Sequence, residues 1–113
     1  MVDVLEVIDN YNEYLKKIPN GTIYIAECLR EEKLQEAFQT IKDFSEGVMW
    51  LATVSDLLNQ RNIEVTLDIE RINSYLIEVN EGLENQDYLL VADLFEYEIA
   101  PFFETVPLIE PLC

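Results

Sequence analysis

Histidine is absent from these 113 residues, and basic residues are few, with seven Lys and Arg against 23 Asp and Glu. Without histidine, the sequence excludes Ser-His-Asp and Cys-His catalysis, His-ligated zinc and the Glu-x-x-His pairs of carboxylate di-iron bundles. The formal net charge of −16 disfavours binding to nucleic acid and to anionic lipid, because both are bound through Lys and Arg. We therefore expect neither nucleic acid nor a membrane surface as a partner.

Cysteine, glycine and long apolar runs are also scarce. Cys28 and Cys113 are the two cysteines, too few for a disulfide framework, and they indicate reduced thiols in a cytoplasm. Three isolated glycines cannot form the Gly-rich loops that bind nucleotide phosphates, so we expect no cofactor. The N-terminus carries acids where a signal peptide needs positive charge, and the longest uncharged apolar stretch, residues 47–55, is far below the roughly 20 residues of a membrane span. A cytoplasmic protein is expected.

What is present is helical periodicity. Half of the residues are apolar, and they recur at spacings of three and four, which predicts an all-α fold. We expect one domain over residues 1–113, built as an antiparallel up-and-down bundle of four main helices and one short helix. The longest stripe predicts a helix from residue 34 to about 60, and its members are Leu34, Ala37, Ile41, Phe44, Val48, Leu51, Ser55 and Leu58.

The remaining helix boundaries follow from capping and breaking residues. Pro19 is expected to end the first helix, and Thr22 to cap a short helix over residues 22–30. Thr66 is one candidate cap for the third helix. Asp87 opens the last helix, whose main stripe runs from Tyr88 through Phe102 to Val106, and the tail is expected to be non-helical from about residue 107.

Two of the predicted helices carry apolar side chains on a second side as well. Burial between neighbouring helices explains such a second stripe, and so does an interface with a partner or a second copy in a homodimer. Burial is favoured, because large apolar residues are more often in the core. The two second stripes consist of Gly47, Trp50, Val54 and Leu57, and of Leu90, Leu94, Tyr97 and Pro101.

Pro101 lies inside the last helical pattern. It frees the carbonyl of Tyr97 and predicts a kink, which either exposes a partner surface or, as favoured, bends the helix around its bundle. With the second stripes, this gives a set of candidate partner-contact residues: Trp50, Val54, Leu57, Leu90, Leu94, Tyr97, Glu98 and Phe103.

Carboxylate pairs at helical spacing could bind a divalent cation, although a solvated acidic face is the favoured interpretation. Catalytic residues and metal ligands are therefore not assigned, and a carboxylate-based divalent-metal-dependent enzyme is kept as the alternative function. The pairs are Glu27 and Glu31, Glu32 and Glu36, Glu78 and Glu81, and Asp93 and Glu96.

Two stretches carry a resemblance to a known family. They are YIAECLREEKLQEAFQTIKDFSEGVMWL at 24–51 and GLENQDYLLVADLFEYEIAPFFE at 82–104. They resemble a family of small acidic all-helical proteins of unknown function from Gram-positive, Clostridium-like bacteria, whose members often have glycine where this chain has Glu32. In size, acidity and helix count the chain is also loosely similar to flagellar export chaperones. The family resemblance implies no activity, cofactor or catalytic residue.

Together these features predict a cytoplasmic, non-enzymatic helical module with an adaptor-like or chaperone-like role. The surplus apolar surface beside a dense acidic field suits a basic or amphipathic segment of another protein. A homodimer is the other association that the second stripes allow.

Overall fold

The fold is an all-α bundle, described by a computed structural model for residues 3–109. Its elements are α1 (Val4–Arg30), α2 (Leu34–Gln60), α3 (Ile69–Glu84) and a fourth helix made of three consecutive parts. Those parts are α4 (Tyr88–Asp93), a π-helical segment (Leu94–Ile99) and α5 (Ala100–Glu104). The helices pack against one another in a body of 47 × 25 × 21 Å. The predicted all-α bundle is confirmed.

Helix α1 runs through Pro19, so the expected separate short helix over residues 22–30 does not exist. Pro19 cannot donate a hydrogen bond to the carbonyl of Leu15, which costs the helix about 3 kcal/mol. The buried stripe nevertheless continues across it without a change of phase, and this packing offsets the cost. Thr22 is not a cap but a buried residue whose hydroxyl donates to the Pro19 carbonyl at 2.7 Å.

Helix α2 confirms the prediction made from the longest stripe. It spans Leu34–Gln60, and every stripe residue after Leu34 is buried. Gly47 allows α1 and α2 to approach closely, because a Cβ atom at Gly47 would lie 1.6 Å from the hydroxyl oxygen of Tyr14. The glycine is thus required by packing, since its φ is not positive.

Three helices end in the same way, with a residue in the left-handed conformation. These residues are Glu32, Asn62 and Gln86, with φ of 61°, 65° and 55°. In each case the next amide donates to a carbonyl five residues earlier, as in Lys33 to Cys28 at 2.9 Å. This is the Schellman arrangement, which glycine adopts at the lowest cost. Glycine at the position of Glu32 would adopt this backbone conformation without strain.

The cap of α3 differs from the expectation. Thr66 lies in the non-helical connection, and Asp68 caps the helix with a carboxylate oxygen that accepts from the Arg71 amide at 3.0 Å. Asp is among the strongest N-cap residues, whereas Thr66 belongs to the non-helical connection that precedes α3. Leu67, in between, is buried and anchors the connection to the core.

The fourth helix changes its hydrogen-bond pattern halfway. In the π-helical segment the amide of Ala100 donates to Phe95, five residues earlier, and Pro101 lies in the first turn of α5, where its missing N–H is tolerated. In an uninterrupted α-helix, Phe102 and Phe103 would both border the buried stripe, because they follow Ile99 by three and four residues. The extra residue of the π turn rotates the residues after it, so Phe103 is 3% exposed and Phe102 is only partly buried.

The segment after α5 is tied to α1 by one side chain. The Asn12 amide nitrogen donates to the carbonyl of Ile109 at 2.8 Å, and the Asn12 carbonyl oxygen accepts from the Ile109 amide at 2.9 Å. Residues 106–109 are not helical, while the end of the predicted tail, including Cys113, lies outside the described residues. Cys28 is buried, as expected for a core residue. Within residues 3–109, no helix combines the length and the apolarity that crossing a membrane requires.

Candidate functional site

A groove lies between α3 and the fourth helix, with a volume of about 360 Å³. We call it the acidic groove, because four of its eight lining residues are Asp or Glu and none is Lys or Arg. The antiparallel α3 and α4 form its two walls, joined by the short turn at residues 85–87. Its lining residues are Glu78, Glu81, Gly82, Asn85, Asp87, Leu90, Leu94 and Glu98.

The floor of the acidic groove is apolar. Leu94 is 5% exposed, whereas Leu90 is 48% exposed and leaves much of its side chain in water. Gly82 sets the depth, because a Cβ atom there would lie 2.6 Å from Cγ2 of Val91. A larger residue at Gly82 would therefore push α3 and α4 apart and change the shape of the groove.

The walls are negative and lack cationic partners. The ion pairs among residues 3–109 involve Lys16, Arg30 and Lys33, and none of them includes a carboxylate of the acidic groove. Asp87 also caps α4, because its carboxylate accepts from the Leu90 amide at 3.2 Å. The groove thus presents four exposed acids beside an uncovered leucine, with nothing in the described chain to neutralise them.

Three of the predicted partner-contact residues come together here: Leu90, Leu94 and Glu98. Trp50, Val54 and Leu57 do not, because no residue of α2 lines the acidic groove. Val54 is buried, Leu57 is partly buried, and Trp50 is 39% exposed with its ring edge-on to Tyr14, 5.9 Å between centroids. The prediction of a homodimer through this face of α2 stays a prediction.

Tyr97 and Phe103, the other two predicted contact residues, have different surroundings. Tyr97 is exposed, and its ring centroid lies 5.9 Å from the guanidinium of Arg30. Phe103 is a core residue in edge-to-face contact with Phe44, at 6.0 Å. Its burial removes it from the surface, because the π turn rotates it inward.

Arg30 fastens the end of α1 to the π-helical segment. Its guanidinium donates to Asp93 at 2.8 Å and also to Glu96, and the hydrogen bond from Arg30 lowers the pKa of Glu96. The predicted acidic pair Asp93 and Glu96 is therefore occupied by an internal cation. Among residues 3–109, no three Asp, Glu or Cys side chains converge as a metal-ligand set.

Comparison with known protein families gives one match. Residues 6–107 match the model of the family described as Domain of unknown function (DUF8042). The chain belongs to this family. Searches of curated proteins and of solved structures returned no significant match. The DUF8042 description confirms membership of a family of unknown function, while the bacterial source and the likeness to flagellar export chaperones stay predictions.

Several residues of the groove in this DUF8042 chain were not among the predicted contacts. Glu78 and Glu81 stood out only as an acidic pair, and Gly82 only as one of three glycines. The turn residues Asn85 and Asp87 indicated a helix break and a cap. One sequence feature could have indicated the groove residues: a stretch from turn to helix whose charged residues are all acidic, beside an apolar second stripe. These residues become neighbours only because α3 packs against α4.

A second cavity of the DUF8042 fold lies between α1 and α2, with a volume of about 220 Å³. Its wall is mostly apolar, from Tyr14, Ile18, Ile25 and Phe44, with Lys17 and Asp43 also among its lining residues. Gly21 lines it, and a Cβ atom placed on Gly21 would have no neighbouring atom within 4 Å, so a side chain would fit there. This cavity has no charge excess of either sign and indicates no class of ligand.

Proposed function

We propose that this chain is a non-enzymatic protein-binding module of the cytoplasm, which holds a basic amphipathic segment of another protein in its acidic groove. One observation carries the proposal: the groove has four carboxylates without a cationic partner among residues 3–109, placed around Leu90 and Leu94. Cations of the partner would neutralise the walls, while its apolar side chains would cover the leucines.

The overall charge supports the same class of partner. A net charge of −16 on 113 residues attracts cationic segments from a distance and raises their association rate. Because salt screens such attraction, with a Debye length of about 8 Å at physiological ionic strength, the complex should form faster at low salt. Like-charged partners would be repelled.

The role that fits such a groove is holding or adapting, with no chemistry performed on the bound segment. The loose similarity to flagellar export chaperones, which hold aggregation-prone segments in helical grooves, supports this role. The rival function, a carboxylate-based metal-dependent enzyme, draws no support from the arrangement of the described side chains, because no three candidate ligands converge among residues 3–109.

The test is binding of a fluorescent peptide of about 12 residues, with Leu at helical spacing and Lys elsewhere, measured by anisotropy at low and high salt. The variant Glu78→Gln/Glu81→Gln/Glu98→Gln neutralises three carboxylates of the groove. We expect it to weaken binding about tenfold or more, because each lost contact with a partly exposed charge removes about 0.3–1 kcal/mol.

The control is Glu46→Gln/Glu70→Gln/Glu104→Gln, which removes the same number of charges from exposed positions outside the groove. It should change binding less than about twofold. Equal weakening by both triple variants would mean that the peptide senses only the total charge, and the proposal would be wrong. Absence of binding by the wild type would also overturn it.

A further inference from the structure

The chemistry of the acidic groove also constrains the shape of the segment that binds there. Building on the proposed function, we infer that the occupant is a single α-helix of about three turns, with an apolar stripe bordered by Lys or Arg along one side and near both ends. Three features of the groove lead to this inference: the state of the backbone in its walls, its length and the placement of its charges.

The walls offer no backbone groups for pairing. Most amides and carbonyls inside α3 and the fourth helix pair within their own helix, and residues 3–109 contain no strand whose edge an extended segment could join. An extended occupant would bring its own amides and carbonyls onto Leu90 and Leu94 without partners there. Unpaired backbone groups next to apolar side chains are costly, whereas a helix satisfies its own.

The groove has the length of a short helix. Its lining along the fourth helix runs from Asp87 to Glu98, which is roughly 16 Å at about 1.5 Å per residue. A helix of about 11 residues, or three turns, spans the same distance. Longer contacts would leave the groove and run over the acidic surface.

The charges border the apolar floor on the α3 side and at its two ends. Glu78 and Glu81 belong to α3, whereas Asp87, the cap of α4, and Glu98 lie before and after the two leucines along the fourth helix. Leu90 and Leu94 are four residues apart and so lie on one face of their helix, which matches an apolar stripe of the same spacing in an occupant. Its cations must then lie on the side of the stripe that faces α3 and near the two ends of the stripe, because the carboxylates border the floor there.

The test compares three labelled peptides of about 12 residues. The first two have the same Leu and Lys composition, one with Leu at helical spacing and one with strict alternation, which favours an extended strand. The third has the helical pattern with a central Pro, which breaks a helix. We expect the first to bind and to gain helical circular dichroism on binding, and the Pro peptide to bind roughly a hundredfold more weakly.

Two neighbouring leucines supply the matched protein variants. Leu90→Ser removes a groove side chain, whereas Leu89→Ser removes an even more exposed one, 66% against 48%, which does not line the acidic groove. Both are surface changes that leave the core intact. Leu90→Ser should weaken the helical peptide about tenfold, and Leu89→Ser less than about twofold.

The outcomes separate this inference from the proposed function. If the alternating peptide binds as tightly as the helical one, and Leu90→Ser weakens it equally, the groove binds basic segments but the helical occupant is wrong. If no peptide responds to Leu90→Ser or to the triple Glu→Gln variant of the groove, the proposed function fails and the inference with it. A preference for the helical peptide that only groove variants abolish supports both.

Discussion

The π-helical segment predicts unequal roles for two neighbouring phenylalanines, which an uninterrupted α-helix would not. With the π turn, Phe103 lies in the core at 3% exposure and Phe102 is only partly buried. With continuous α-helical phase, Phe102 and Phe103 would follow Ile99 by three and four residues, so both rings would border the buried stripe and be buried to a similar extent. Replacing each phenylalanine by alanine therefore distinguishes the two arrangements.

The magnitudes follow from burial. Phe103→Ala removes a fully buried ring that contacts Phe44 at 6.0 Å, and we expect a loss of about 3–5 kcal/mol in the free energy of unfolding. Phe102→Ala removes a ring that contacts Tyr75 at 5.7 Å but keeps part of its surface in water, so we expect about 2 kcal/mol. The contact between the two rings, at 5.1 Å, is lost in both variants and cancels from the comparison.

The assay is urea unfolding followed by far-ultraviolet circular dichroism. With an m value of about 2 kcal/mol/M, the midpoint of Phe103→Ala should lie roughly 1 M below that of Phe102→Ala. Because small domains are stable by only about 5–15 kcal/mol, the milder pair Phe103→Leu and Phe102→Leu keeps the comparison measurable if the alanine variant unfolds. Equal losses, or a larger loss at Phe102, would refute the π-helical phase.

Four further predictions concern single positions elsewhere. Gly47→Ala should destabilise the protein by about 1–3 kcal/mol, because the added Cβ would collide with the Tyr14 ring of α1. Gly21→Ala should stabilise it by about 0.5–1 kcal/mol, because a Cβ at Gly21 would meet no neighbouring atom within 4 Å. Thermal unfolding compares the two variants, and a loss of stability in both would contradict the packing argument. Glu32→Gly should raise the unfolding free energy by about 1 kcal/mol, because glycine adopts the φ of 61° without strain, and no gain in the melting temperature would count against that backbone conformation. Ser55→Ala should change the free energy of unfolding by less than about 1 kcal/mol in urea, because the buried Ser55 hydroxyl lies beside the Tyr11 hydroxyl but makes no hydrogen bond of standard geometry; a loss well above about 1 kcal/mol would show a full Tyr11–Ser55 hydrogen bond. Burial raises the pKa of Tyr11 to about 12, so this tyrosine ionises first in the unfolded chain, and the free energy of unfolding should fall as the pH rises from about 10 through 12. Tyr11→Phe should flatten this part of the plot of stability against pH. An unchanged slope would mean that other groups cause the loss of stability.

Helix α2 shows how far local pattern carries. Its first residue, Leu34, and its last, Gln60, were predictable because seven apolar positions and Ser55 keep one phase and no Pro interrupts them. Both determinants are local, since periodicity and helix breaking act within a few residues. The cap of the last helix, Asp87, was predictable for the same reason.

Pro19 and Phe103 show where local pattern fails. The proline at position 19 predicted a helix end. However, packing of the continuous buried stripe of α1 against the neighbouring helices outweighs the free energy that the proline costs the helix. The place of Phe103 depends on one extra residue in the π turn, which no spacing rule reveals. In both cases the deciding energy comes from packing between helices distant in sequence.

The candidate site also combines features that the sequence predicts with features that depend on packing between helices. The sequence by itself determined that this chain is an acidic helical protein with surplus apolar positions, because composition and periodicity need no neighbours. It could not say that Val54 and Phe103 lie in the core while Leu90 remains open to water. Only the tertiary packing of the helices decided that, and the packing of α3 on the fourth helix brings acids from two separate helices to the borders of one apolar floor.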